Sequence, residues 1–206
     1  MDDQIGALRK EIEQQVGTNV LMIITSDHGE AFGGHGLIDH RNSLYRELIH
    51  VPLIFWWPGH LPAGVRIERP ISLASVPATL MSLVGASETD TFPGPSLAEI
   101  WNGTTRQEDW PYPLAELAHI PFESPQNPCR YGEIKSLVGP ELQYIVHEKF
   151  GEELYKWKQD PGEVQNLAKT PEAASITRDF ALRLHNQLNQ SPRSTRLGML
   201  CSERSR

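Results

Sequence analysis

Five apolar residues at 20–24 (VLMII) lead directly into the segment TSDHGE at 25–30. An uninterrupted apolar run between polar residues predicts a strand that is buried on both faces. In an open α/β sheet, sites form just beyond the carboxyl ends of the strands. Asp27 and His28 stand there with the carboxylate oxygen and imidazole nitrogen that divalent cations bind, and Gly29 lets the backbone turn sharply. On these residues alone, a cation site and a plain turn stay equally open.

Further motifs follow in a fixed order along the chain. The segment GGHG occupies 33–36, SLYREL begins at Ser43, a second apolar run (VPLIFWW) fills 51–57, and the tail carries ELYKWKQDPGEVQNLA at 153–168. In this order and spacing the chain resembles the sulfatase family of the alkaline phosphatase superfamily. Its members carry TSDHGE, GxHG, SLYxExxxVPLIxxxPG and ELYxxxxDPGExxNLA. The likeness spans about residues 1–170.

The resemblance implies roles for four residues. Asp27 and His28 match family metal ligands, and His40 stands where many members have a sulfate-binding Lys and some branches have His. An imidazole can bind an anion or act as a general acid near neutral pH, so we predict a catalytic role for His40. His35 is a second predicted catalytic residue that would orient ligands, although a local loop role stays equally open. Calcium fits the oxygen-rich family site best, while magnesium, manganese and zinc remain open.

The family nucleophile has no counterpart in this sequence. Sulfatases use a Cys or Ser in a C/S-x-P/A-x-R context, which is converted to formylglycine. Neither Cys129 nor Cys201 has that context, and Asp2 and Asp3 belong to a helix pattern rather than to an early metal-binding Asp-Asp pair. We therefore expect a fragment of a metal-dependent sulfate ester hydrolase that holds half of the metal site and is inactive by itself. The alternatives are a phosphate or phosphonate ester hydrolase or phosphoglycerol transferase of the same superfamily, or an inactive binding module.

Composition narrows the range of partners. A formal charge of −7 without a cluster of Lys and Arg argues against nucleic acid. No apolar run approaches the length of a membrane span, so we expect a soluble protein. The family implies a small-molecule or glycan sulfate ester as substrate. An open sheet edge would favour self-association. The compartment is not indicated, because an export signal would precede residue 1.

The predicted fold is an α/β/α sandwich of the alkaline phosphatase type, followed by a small antiparallel sheet with a covering helix. Residues 1–115 are expected to form the C-terminal part of the sandwich domain, and 116–206 the small α+β subdomain. The Pro-rich stretch 111–128 is predicted to be an irregular crossing between them. Predicted helices cover 3–16, 43–49, 73–84, 96–101 and 172–190, and predicted strands cover 19–25, 51–56, 131–138, 142–147 and 153–157.

Overall fold

The computed structural model describes residues 1–86, 92–106 and 109–190. Its helices are, in chain order, α1 (Asp2–Val16), α2 (Arg46–Ile49), α3 (Val76–Leu83), α4 (Ala98–Trp101) and α5 (Ala174–Gln190). Its strands are β1 (Met22–Thr25), β2 (Ala31–Phe32), β3 (Ile38–Asp39), β4 (Leu53–Trp56), β5 (Leu114–Leu117), β6 (Ile134–Val138), β7 (Gln143–His147) and β8 (Gly151–Tyr155). Within these ranges, no helix is long and apolar enough to cross a lipid bilayer.

The two apolar runs form an antiparallel ribbon in which Thr25 of β1 lies opposite Leu53 of β4. The prediction that the first strand is buried on both faces is wrong, because 22–24 are only half-buried and Thr25 is exposed. Each strand of this ribbon has a single partner in the described part of the chain. Among residues 1–86, 92–106 and 109–190, no further strand flanks the ribbon. Asp27 and His28 follow the end of β1, as predicted.

The Gly- and His-rich loop after β1 contains a short hairpin. Ala31 of β2 pairs with Asp39 of β3, and Ala31 is fully buried against Leu37 and Leu48. Leu48 belongs to α2, so one buried contact fixes the hairpin on this helix. The packing is tight because the amide of Gly29 donates to the carbonyl oxygen of Leu48 at 2.8 Å.

Helix α2 begins at Arg46, three residues later than predicted. Ser43, the first residue of the predicted helix, is buried, and its hydroxyl donates to Asn42 Oδ1. Tyr45 occupies the N-cap position, and the Arg46 amide donates to Glu163 Oε2 at 2.6 Å. A carboxylate from the distant tail therefore satisfies one of the first-turn amides that have no partner within the helix.

The C-terminal sheet has the order β5-β6-β7-β8 and is antiparallel throughout. Three strands were predicted, but β5 lies inside the stretch that was expected to be irregular. Its strand residues fall between Pro113 and Pro121, so no proline removes an N–H group within it. Pairing of Leu114 with Leu137 joins β5 to the sheet. The predicted boundary between 115 and 116 stays a prediction.

Alternation of side chains gives this sheet two buried faces. One face packs against α5, as predicted for a covering helix, through the buried side chains Leu137, Tyr144, Leu154, Phe180 and Leu184. The opposite face packs on the segment around α2 through Ile134, Ile145, Tyr155, Leu44 and Cys129. The sheet is therefore the middle layer between α5 and the loop that carries the predicted site. Cys129 is a free, buried thiol, and Cys201 lies outside the described residues.

We expect Gly29→Ala to lower the free energy of unfolding by about 1–3 kcal/mol or more, as overpacked sites do. A Cβ at Gly29 would lie 1.9 Å from the carbonyl oxygen of Glu47, so α2 or the loop would have to move. Urea unfolding measures the change. Gly6→Ala is the control, because a Cβ there meets no atom within 4 Å and alanine favours the helix. A Gly29→Ala protein as stable as the wild type would rule out this close packing.

A second prediction concerns the pH dependence of stability. Glu163 is 1% exposed, and burial raises the pKa of its carboxyl from 4.5 to about 7. The folded chain therefore binds this proton more tightly than the unfolded chain, so the stabilisation is complete below about pH 4.5 and is lost as the pH rises through about 7. We expect Glu163→Gln to be more stable than the wild type at pH 8, by on the order of 1–3 kcal/mol, and to match it near pH 4.

The measurement for Glu163→Gln is urea unfolding of both proteins at several pH values between about 4 and 8. Glu141→Gln serves as the control, since the Glu141 side chain is 60% exposed and pairs with Lys158 at the surface. A stability difference between Glu163→Gln and the wild type that does not change with pH would contradict the raised pKa.

Candidate functional site

Asp27 and His28 present two donor atoms to the same point beyond β1. Asp27 Oδ2 and His28 Nε2 are 3.6 Å apart. His28 Nδ1 lies 2.8 Å from the carbonyl oxygen of Gly29, which can only accept, so Nδ1 carries a hydrogen and the neutral ring offers the lone pair of Nε2. Two ligands at right angles on one ion are separated by about 3–3.6 Å. The pair therefore fits two ligand positions of a single divalent cation.

The Asp27 carboxylate is open to solvent and readily ionised. Its side chain is 86% exposed. Its own backbone amide, the neighbouring His28 ring and the His28 amide together hold the pKa of the Asp27 carboxyl below its usual range. An exposed and ionised carboxylate beside a free imidazole nitrogen is the donor set that cations of the calcium, magnesium, manganese and zinc group accept.

His40 joins this pair through its ring. The imidazoles of His28 and His40 stack with their centroids 4.2 Å apart. His40 Nδ1 lies 2.8 Å from Asp39 Oδ1 and 3.3 Å from Glu30 Oε2. Glu30 Oε2 accepts from Nδ1, and Asp39 Oδ1 accepts from the His40 backbone amide at 2.8 Å, so these carboxylates orient the ring and leave Nε2 for another partner. The structure thus brings together three of the four residues that the sequence singled out.

Glu30 and Asp39 were not predicted as site residues. Their carboxylates and the His40 imidazole have ligand atoms within 4.8 Å of one another, which is close enough to surround one ion. One Glu30 oxygen, Oε1, is buried without a hydrogen-bond partner in the described part of the chain. The hairpin register that pairs Ala31 with Asp39 brings Glu30 and His40 together, and only knowledge of that register would have revealed the cluster.

His35 has a different ring partner from His28 and His40. Its ring stacks on Tyr45, with centroids 3.5 Å apart and an interplanar angle of 3°. The backbone of His35 is left-handed, with φ at 54°. Its role as a catalytic residue stays a prediction.

Backbone strain is concentrated in this loop. Four non-glycine residues have positive φ in the described ranges, and three of them are His35, Asp39 and Arg41. Each such conformation costs on the order of 1–3 kcal/mol and tends to occur where function requires it. The fourth is Glu163, which binds the start of α2. Left-handed backbone therefore occurs both in the site loop and at Glu163, which binds α2 from the C-terminal part of the chain.

A cavity of about 880 Å³ opens beside the three clustered residues. Asp27, His28 and His40 lie along its wall, together with Arg41. Apolar side chains of β4 and of later segments form much of the remaining wall, including Leu53, Phe55, Ile67, Leu97, Trp101 and Leu114. The volume lies within the range of small-molecule sites, which combine apolar walls with a few polar groups.

Comparisons with known proteins agree with these motifs. A family model described as Sulfatase matches residues 1–86. A Delta 4,5-hexuronate-2-O-sulfatase from Bacteroides thetaiotaomicron is 32% identical over 180 residues, which is 85% of this chain and 36% of the relative. The chain therefore spans little more than a third of that relative's length.

Solved structures give the same result at the level of the fold. The structure of a 2-O GAG sulfatase superposes with a TM-score of 0.72 at 26% identity, covering 94% of this chain and 42% of the other. A phosphonate monoester hydrolase of Agrobacterium radiobacter gives 0.73 at 23% identity, with 92% and 39% covered, and shows likeness of fold alone. The described chain thus has part of an alkaline-phosphatase-like α/β fold. With the ordered motifs and the matches above, the chain belongs to the sulfatase family of the alkaline phosphatase superfamily.

Proposed function

We propose that this chain carries part of the active site of a metal-dependent, sulfatase-like hydrolase of sulfate esters. Asp27 and His28 supply two ligands to a divalent cation, with calcium favoured by the family resemblance. The observation that carries the proposal is the 3.6 Å approach of Asp27 Oδ2 and His28 Nε2, with Nδ1 bound to Gly29. When bound, such a cation polarises the ester and stabilises negative charge on its oxygens.

His40 is proposed as an anion-binding group and general acid. Glu30 accepts from its Nδ1, so Nε2 is the atom that can donate to a sulfate oxygen or protonate a leaving oxygen. Stacking on His28 keeps that nitrogen beside the cation ligands. His35 is proposed as a second imidazole of the site. The nucleophile is not among these residues, so we expect the chain by itself to bind ligands without turnover.

The proposed substrate is a small-molecule or glycan sulfate ester. The cavity of about 880 Å³ next to Asp27, His28 and His40 is large enough for a sugar ring with its sulfate group. The similar hexuronate-2-O-sulfatase and 2-O GAG sulfatase, by their names, act on sulfated sugars. We likewise propose that residues 1–115 belong to the catalytic domain and 116–206 to the smaller subdomain.

The β1–β4 ribbon supports a proposal of self-association. Among residues 1–86, 92–106 and 109–190, β1 and β4 pair only with each other. Each therefore has one edge whose backbone groups can pair with another strand. A second copy of the chain is one source of such a strand.

We expect Asp27→Asn to weaken binding of Ca²⁺ and Mn²⁺ by about tenfold or more, because a charged ligand is lost. Isothermal titration of the purified chain measures the affinity. Asp179→Asn is the matched control, since Asp179 lies on α5 and pairs with Arg183. Asp39→Asn separates the two carboxylate clusters. If Asp39→Asn abolishes cation binding while Asp27→Asn leaves it intact, the ion belongs to the Glu30, Asp39 and His40 cluster and the proposed ligand pair is wrong.

We expect His40→Ala to lower the affinity for inorganic sulfate, with Ca²⁺ saturating, by about tenfold or more, as loss of a charged hydrogen bond does. His40→Lys should retain most of that affinity, because an ammonium group also donates to an anion. His185→Ala, on α5, is the control. A sulfate affinity that is the same in His40→Ala and wild type would remove His40 from the site.

The same titration distinguishes the sulfatase proposal from the phosphonate alternative. Methyl sulfate and methylphosphonate differ in charge and shape at the reacting group. A site adapted to sulfate esters should bind methyl sulfate more tightly. A reproducible preference for methylphosphonate would favour phosphate or phosphonate chemistry for this chain.

A further inference from the structure

Tyr45 is held on both sides by residues of the C-terminal sheet region. Gln143 Nε2 donates to the carbonyl oxygen of Leu44 at 2.8 Å, and Glu163 Oε2 accepts from the amide of Arg46 at 2.6 Å. These groups belong to the two peptide units that flank Tyr45. The partners are 99 and 117 residues away in sequence, and both side chains are 1% exposed. The backbone at Tyr45 is therefore fixed by distant residues.

The Tyr45 ring connects this fixed backbone to the loop that carries His35. It stacks in parallel on His35 at 3.5 Å and meets Tyr155 edge-on at 6.3 Å. It also packs with Ile49 against the core formed by Ala31, Leu37 and Leu48. A shift of the backbone at Tyr45 would move the surface on which the His35 imidazole rests.

We propose that Gln143 and Glu163 are positioning residues for His35, acting through Tyr45. The two side chains clamp the peptide units around Tyr45, and the Tyr45 ring sets the plane and place of the His35 imidazole in the loop between β1 and α2. This inference rests on the proposed function, which assigns His35 to the site. It extends that function by giving the C-terminal subdomain a part in the geometry of the active site.

The energetic cost of Glu163 supports a positioning role over simple packing. Its backbone has φ at 51°, a left-handed conformation that is unfavourable for a side-chain-bearing residue. Its second oxygen, Oε1, is buried and has no hydrogen-bond partner in the described part of the chain. Burial also raises the pKa of the carboxyl. A smaller apolar residue would avoid burying a carboxyl group, but it would leave the Arg46 amide without its acceptor.

Gln143 is likewise a buried polar side chain that makes a hydrogen bond to the backbone beside Tyr45. It lies in β7 opposite Val138 and Tyr155, inside a sheet whose neighbouring positions are largely apolar. Its amide reaches out of the sheet to the Leu44 carbonyl. A valine or isoleucine would suit the strand better but could not bind this carbonyl. The two clamp residues therefore share one target, the backbone of Tyr45.

The first readout is the NMR chemical shift of the carbon-bound ring protons of His35. A parallel tyrosine ring at 3.5 Å shifts these protons upfield. We expect Glu163→Ala and Gln143→Ala each to lose at least about half of that upfield shift, since removing a supporting hydrogen bond loosens the group it orients. Glu163→Gln retains an acceptor oxygen for the Arg46 amide and should keep the shift. Tyr45→Leu defines the value without the ring.

The second readout is the affinity for inorganic sulfate with Ca²⁺ saturating. We expect it to fall about tenfold in Glu163→Ala and Gln143→Ala and to be restored in Glu163→Gln, the size of effect seen when supports of site residues are removed. Glu141→Gln is the control for a surface carboxylate. The His147 ring signals, from a buried histidine in β7, report whether each variant is folded.

The outcomes distinguish the clamp on Tyr45 from the proposed function of the site. If folded Glu163→Ala and Gln143→Ala keep the full His35 shift, the clamp is refuted. If the shift is lost but sulfate affinity is unchanged, the clamp is structural and the positioning role is refuted. Wild-type protein that binds neither Ca²⁺ nor sulfate would refute the proposed function, and the His35 shift would still decide the clamp. If Glu163→Ala fails to fold, the comparison of Gln143→Ala with Glu163→Gln decides it.

Discussion

The hydrogen bond from the Gly29 amide to the Leu48 carbonyl, 2.8 Å long, joins the end of β1 to helix α2. It exists because Gly29 has no side chain, since a Cβ would meet the Glu47 carbonyl oxygen at 1.9 Å. Asp27 and His28 immediately precede this contact, so their position depends on where α2 lies. Leu48 also buries Ala31 of the hairpin, which leads to His40. One four-residue helix thus sets the place of both halves of the site.

A helix of four residues has little stability of its own, because nucleation costs more than so few hydrogen bonds return. Its position must come from tertiary contacts. Glu163 binds its first amide, and Leu44 and Tyr45 pack with Cys129, Ile145 and Tyr155. The C-terminal sheet, itself fixed by α5 on its other face, therefore acts as the rigid support of the site. This arrangement follows the general rule that functional loops require a rigid scaffold.

The sequence predicted best what depends on local pattern. Helices α1 and α5 follow from apolar periodicity, and the adjacency of Asp27 and His28 at a strand end follows from chain order. The Glu30, Asp39 and His40 cluster could not be predicted in this way. It depends on a hairpin with only two paired positions and on a left-handed Asp39, neither of which leaves a periodic signal.

Other features could not be predicted from the sequence, because they also depend on contacts between distant segments. The prolines around β5 suggested an irregular crossing, although they stand outside its four strand residues. A continuous apolar run suggested a doubly buried strand, yet burial depends on neighbouring layers that one segment cannot specify. The clamp on Tyr45 joins residues about 100 positions apart, and its polar members, Gln143 and Glu163, resemble surface residues until the fold buries them.

The charges around the proposed cation ligands affect how an anion can bind at His40. Three carboxylates, those of Asp27, Glu30 and Asp39, lie in contact with two stacked imidazoles, His28 and His40. Arg41 lies on the same cavity wall and adds one positive charge. A divalent cation held by these carboxylates would add further positive charge at short range, where electrostatic interactions are strong. We therefore expect sulfate to bind at His40 more tightly when the proposed cation site is occupied.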